Sequence, residues 1–273
     1  MKLYFVVSAL LWFVINSTTA QISPPGLGKA QNAAWFAVGV RQELDTIEGK
    51  GWQSMSYIGV GHKSNPDNYN PFHNPGILVL NQEFYHQFHS NWQYSLALSY
   101  RRQAEYLDEA PYERADPRMQ QEFRFYSRFS YIFNSQRVKL VPTLRQDFRK
   151  FYDPDFGRVD ETIQLRTRFR LQITTTLDNK EQHRIVAGSE QLFATSKLIS
   201  TDTWTGFKYN ESRFTLYYSY TPSDSPFIFN IGYMNNLIGN QKPFSVHHLA
   251  FDIIIENPFS FRTQDKSKIK GKF

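Results

Sequence analysis

The chain has 273 residues and no cysteine. It therefore has no disulfide framework and no cysteine to carry a lipid anchor. Beyond the first twenty residues, no stretch approaches about 18 consecutive apolar residues, which excludes helical membrane spans. No glycine-rich phosphate loop or nucleotide motif is present. His73, His86 and His89 lack metal-ligand spacing, and His247 and His248, adjacent on a strand, would point to opposite faces. Neither a metal nor a cofactor is expected. The net charge of +6 comes mainly from arginines that alternate with apolar residues rather than clustering on an accessible patch, so no nucleic-acid partner is expected.

The pattern that is present has period two. In residues 162–175, Ile163, Leu165, Phe169, Leu171 and Ile173 alternate with Gln164, Arg166, Arg168, Arg170 and Gln172. Successive strand side chains point to opposite faces, so these are strands between two different environments. The segment around Phe123, Phe125 and Phe129 sets aromatics against Glu122, Arg124 and Arg128. The next sets Val138, Leu140 and Leu144 against Arg145, Asp147 and Arg149. Strands of about 12–18 residues exceed the soluble mode of about 5–6. The polar face also carries both signs of charge, which suits pairing. Apolar outside and polar inside, over long strands, is the pattern of a transmembrane barrel. Aromatic residues make up 16% of a chain that is hydrophilic on average, which fits aromatics gathered at two interfaces.

The expected fold is therefore all-β, an antiparallel transmembrane barrel of outer-membrane type. Residues 1–20 read as a cleaved signal peptide: Lys2, an apolar core, then Thr18-Thr19-Ala20. Residues 21–32 read as an irregular periplasmic lead-in, 33–260 as the barrel, and 261–273 as a disordered basic tail. Alternating segments begin near Trp35, Trp52, Leu78, Trp92, Gln120, Val138, Thr162, His183, Trp204, Phe227 and Ser245. That is eleven, whereas bacterial barrels carry even numbers, so ten to twelve strands is the expected range. Residues 62–75 and 104–118 read as long loops. Long and short connections alternate, so the long loops should face outside and the short turns the periplasm.

Several phrases together resemble an uncharacterised bacterial outer-membrane barrel family, domain-of-unknown-function family 2490. They are Gln121-Glu122-Phe123-Arg124, the Arg166–Arg170 strand, Ser189-Glu190-Gln191, Tyr209-Asn210-Glu211-Ser212-Arg213, Gly232-Tyr233-Met234-Asn235 and the closing His248 strand. The resemblance implies an outer-membrane barrel and brings no activity with it.

Two candidate sites follow. Glu122, Arg124, Arg128, Arg145, Asp147, Arg149, Arg166, Arg168, Arg170, Glu190, Glu211, Arg213, Asp252 and Glu256 should all point inward. In a narrow barrel their guanidinium–carboxylate pairs would fill the lumen, giving a plugged barrel of structural or interaction role. The second candidate is His62-Lys63-Ser64-Asn65, followed by Asn74-Pro75-Gly76. It resembles the His-x-Ser-Asn phrase of outer-membrane phospholipases and lipid A deacylases, in which His is base to Ser. This is the alternative reading, an outer-leaflet lipid hydrolase using His62 and Ser64. A narrow anion-preferring channel is the third, since arginines outnumber acids on the central strands. The partners expected are membrane lipids, including outer-leaflet lipid, and other outer-membrane proteins.

Overall fold

A computed structural model describes residues 22–47 and 50–259. The expected signal segment, residues 1–20, and basic tail, residues 261–273, lie outside the described residues. Eleven long strands form the wall: β1 (Asn32–Ile47), β2 (Lys50–Lys63), β3 (Asn74–His89), β4 (Trp92–Tyr106), β5 (Arg114–Tyr131), β7 (Val138–Tyr152), β8 (Glu161–Thr176), β9 (His183–Leu198), β11 (Lys208–Tyr220), β12 (Phe227–Ile238) and β13 (Phe244–Glu256). Two short pieces, β6 (Phe133–Ser135) and β10 (Thr203–Trp204), extend hairpins at the rims. Each long strand pairs with the next in sequence, antiparallel. The sheet closes where β1 pairs with β13 in parallel, from Asn32↔His247 to Arg41↔Glu256. Among the described residues no long strand is left with an open edge, so the backbone ladder of the wall is satisfied within the chain.

The parallel closure corrects the expectation of a wholly antiparallel barrel, while the strand number falls within the expected ten to twelve. Among the described residues the wall strands number eleven, an odd count. The reason lies in residues 22–31, the described part before β1 of the 21–32 stretch expected as a periplasmic lead-in. They are irregular, but they run inside the barrel. A Cβ placed on Gly39, at mid-height of β1, would meet Ile22 Cδ1 at 3.1 Å. Leu27 Cδ1 lies 3.3 Å from the equivalent point on Gly61, near the long-loop rim. The chain thus climbs the interior before β1 begins at the loop end, and β1 must run in the same direction as β13. The missing crossing is made by an unpaired segment within the lumen.

The two faces of the wall have opposite chemistry. On β4, Leu96 and Leu98 are 46% and 66% exposed, while the alternating Ser95, Ala97 and Ser99 are buried. On β5, Phe123, Phe125 and Phe129 face out, while Glu122, Arg124 and Tyr126 are buried. Aromatic rings gather outside at both ends of the wall. Trp52 stacks on His86, and Trp92 packs on Phe129 and Tyr131, at the short-turn end. Tyr100 packs on Phe123, and Phe193 on Phe207, toward the loop end. Polar groups on the outer face pair with one another: Ser56 donates to Gln82, and Thr167 Oγ1 to Gln146 Oε1 at 2.7 Å.

The interior has two halves. Beside the β1–β13 seam it is apolar: Ile22, Leu27 and Ala30 pack on Trp35, Ala37, Met55, Val79 and Ile254. Opposite, from β4 to β11, it is ionic. The loops are shorter than expected. β2 reaches Lys63 and β3 starts at Asn74, leaving 64–73; β4 reaches Tyr106 and β5 starts at Arg114, leaving 107–113. Near the rim both strand faces meet polar surroundings, so the apolar–polar alternation that marks a strand fades before the hydrogen bonding does.

Candidate functional site

The ionic half is built on strand spacing. Side chains two apart on a strand share a face, and register then sets their neighbours across strands. Arg145 and Asp147 share the inward face of β7, and Arg145 Nη2 donates to Asp147 Oδ1 at 2.6 Å. Register places Arg168 opposite Arg145, and its Nε donates to Asp147 Oδ2 at 2.8 Å. Arg124 Nη1 lies 3.7 Å from the same carboxylate. One buried aspartate thus gathers three guanidinium groups.

Glu122 sits nearer the loop end and accepts Arg124 Nε at 2.6 Å and Arg149 Nη2 at 2.8 Å. Arg149 also donates to Gln164, which accepts Arg166 Nη2 at 2.9 Å. Arg166 reaches Glu211 at 3.4 Å, and Arg213 donates to Glu211 at 2.7 Å. Glu190 lies 3.7 Å from both Arg168 and Arg213. These contacts link β5, β7, β8, β9 and β11 around the interior. Arg128 lies 3.3 Å from Glu83. At the short-turn rim, Arg41 donates to Glu256 at 2.6 Å across the seam. Arg170 lines an interior cavity described below. Asp252 stands apart: Asn230 Nδ2 donates to its Oδ1 at 2.7 Å, and Oδ2 has no partner among the described residues.

Two members of this interior carry a weaker signal in the sequence. Glu83 accepts Ser95 Oγ at 2.5 Å and Tyr126 Oη at 2.7 Å. The Tyr126 ring lies 3.5 Å beneath the Arg145 guanidinium. Tyr126 occupies a polar-face position between Arg124 and Arg128, and that placement was its signal: an aromatic residue on the ionic side of the alternation.

His62 and Ser64 are not joined by a hydrogen bond. His62 Nδ1 has no partner among the described residues, and its ring lies 6.3 Å from that of Phe72. Ser64 is buried. Its hydroxyl donates to Asn65 O at 2.9 Å and accepts the backbone N–H groups of Gln31 and Asn32 at 3.1 and 3.0 Å. It ties the interior segment to the rim. Lys63 Nζ adds a bond to Leu27 O at 3.0 Å, and Lys29 pairs with Asp108 of the 107–113 loop at 3.2 Å. A nucleophile needs a base within hydrogen-bond reach; here the serine proton is directed at a carbonyl.

Between the interior segment and the short turns a cavity of about 140 Å³ remains. Residues Ile22, Ser23, Pro24 and Pro25 form one boundary, and Gln93, Ile132, Lys139 and Val141, from the short-turn ends of their strands, form the other. On the loop side, the packed segment and the Glu122–Glu211 contacts occupy the lumen.

Residues 32–246 match the model of a family described as protein of unknown function, DUF2490. No curated protein matches the chain.

Proposed function

We propose that this chain, which belongs to the DUF2490 family of proteins of unknown function, is an outer-membrane barrel of structural or interaction role whose lumen is blocked. The observation that carries this reading is the inside-out distribution of side chains. Leucine, isoleucine, valine and phenylalanine are exposed all around the wall, while arginine, glutamate and aspartate are buried within it. Water outside would leave the apolar wall unfavourably solvated, whereas a bilayer matches it. The aromatic groups at both ends of the wall suit the two interfaces of a bilayer, and the mutual pairing of outer polar groups suits a face without water. The long loops face the exterior and the short turns the periplasm, after export on the N-terminal signal segment. The membrane's own lipids, including outer-leaflet lipid, and neighbouring outer-membrane proteins meet the wall and loops.

Because the chain has no cysteine, a single introduced cysteine is its only thiol. Ser200→Cys on a long loop should react with a membrane-impermeant maleimide on intact cells, and Ser223→Cys on a short turn only after permeabilisation. Labelling of both or neither on intact cells would overturn the orientation, and recovery of the chain in the soluble fraction would overturn the membrane assignment. In planar bilayers the purified protein should show little conductance; large, steady openings would overturn the blocked lumen.

A further inference from the structure

We infer that the interior cavity is a binding site for a small oxyanion, of phosphate or carboxylate chemistry, entered from the short-turn side. The inference rests on the blocked-lumen reading, but not on which membrane holds the barrel.

The first ground is charge. Eight arginine and lysine side chains line the cavity, from Arg213 at the inner end to Arg41 and Lys139 near the turns, against two carboxylates, Glu83 and Glu190. Three further acids reach the same bases from beyond the lining: Asp147 holds Arg145 and Arg168, Glu211 holds Arg213, and Glu256 holds Arg41. These outer acids are themselves shared with arginines outside the lining, Asp147 with Arg124 and Glu211 with Arg166, so the lining keeps an excess of positive charge. Enclosed charges are ordinarily paired, and water can solvate such an excess without neutralising it.

The second ground is a specific group. Lys139 Nζ is enclosed and has no hydrogen-bond partner among the described residues. Arg170 and Arg41 line the same cavity. An ammonium is a compact point charge and a guanidinium a planar fork; together they suit an oxygen-rich anion that accepts several N–H groups at once.

The third ground is size and access. The cavity, at about 140 Å³, is close to the roughly 150 Å³ that holds one benzene molecule. It takes one phosphate or a short carboxylic acid and excludes a polymer. Residues 22–31 close the loop side, so the site is a pocket rather than a path. Under the orientation proposed above, it faces the periplasm.

The test is calorimetric titration of the detergent-purified full chain with inorganic phosphate. One saturable site is expected, with affinity weakened about tenfold or more by Lys139→Gln and by Arg170→Gln, the loss of one charge-assisted contact. Arg102→Gln, on the outer wall, should leave it unchanged. Circular dichroism checks that each variant keeps its strand content. Absence of saturable binding up to about 10 mM, which is weaker than a useful solute site, would overturn the inference, as would equal affinity in all three variants. Succinate in place of phosphate identifies which oxyanion class the pocket prefers. A membrane-located chain that binds neither loses the site alone. A chain that binds but fractionates as soluble keeps the site and loses the membrane assignment.

Discussion

The Ser64 hydroxyl receives the backbone N–H groups of Asn32 and Gln31 at 3.0 and 3.1 Å, where the interior segment turns into β1. Its role is to hold the chain at the one point where an unpaired segment becomes a wall strand. Ser64→Ala leaves both donors unsatisfied, and should cost about 1–3 kcal/mol of stability. His62→Ala removes no hydrogen bond of Nδ1 and should stay within about 0.5 kcal/mol. Urea unfolding in detergent micelles reads both; equal losses would mean the two side chains act together after all.

Asp147 is the most heavily used carboxylate of the interior, with arginines from three strands around it. Asp147→Asn removes the charge and leaves Arg145 and Arg168 without their closest acid. Breaking a buried pair costs about 3–5 kcal/mol, so this variant should fold poorly or melt far below the parent. Asp108→Asn, whose pair with Lys29 at the loop rim is exposed on both sides, should cost under about 1 kcal/mol. Thermal unfolding followed by circular dichroism ranks the two, and a rim variant as damaging as Asp147→Asn would refute a charge ladder buried at its centre.

Much of this was legible in the residues. Arg166, Arg168 and Arg170 against Leu165, Phe169 and Leu171 fixed two faces and a barrel, because alternation is a direct consequence of the pleat. What stayed hidden lacked a period. Pro24-Pro25-Gly26 carries no alternation, so its place inside the lumen has no sequence signature, and nothing in the residues explains an odd strand count. The partner of Asp252 was equally hidden, since inward direction follows from spacing but the facing residue depends on the β12–β13 register, which sets Asn230 opposite it. Glycine roles also needed coordinates. Tyr217 lies against Gly232 so closely that a Cβ there would sit 2.2 Å from its ring, and Trp35 covers Gly59 in the same way at 2.3 Å.

That covering makes a prediction. Gly232→Val forces the buried Tyr217 ring off the wall, and Gly59→Val does the same to Trp35. Overpacking of this kind costs about 1–3 kcal/mol. Near-ultraviolet circular dichroism should show the displaced rings along with the lost stability; unchanged spectra would mean the rings do not lie over these glycines.

The β8–β9 turn carries an acid-sensitive joint. Asp178 accepts backbone N–H groups from His183, Lys180 and Gln182 at 2.8, 3.1 and 3.3 Å, and the His183 bond leads in holding its pKa below the ordinary aspartate value. A carboxylate with a depressed folded pKa contributes its full stability above the unfolded value of about 3.9, and loses it as pH falls through the folded value. The gap in urea midpoint between the parent and Asp178→Asn should therefore be widest at neutral pH and narrow on acidification to about pH 3. A gap independent of pH would show that the turn does not use the charge.

Leu98 decides what surrounds the wall. It is 66% exposed, on the outer face between Tyr94 and Tyr100. An arginine at a bilayer midplane costs about 2–4 kcal/mol, falling toward zero near the interfaces. On a water-facing surface the same change would stay within about 0.5 kcal/mol. Leu98→Arg should therefore impair folding into phospholipid vesicles strongly, while Arg102→Ala, outward at the loop end of the same strand, should be nearly neutral. The contrast depends on depth along one strand, which a uniformly hydrated surface would not produce. If both variants fold into vesicles as the parent does, the apolar wall does not face hydrocarbon.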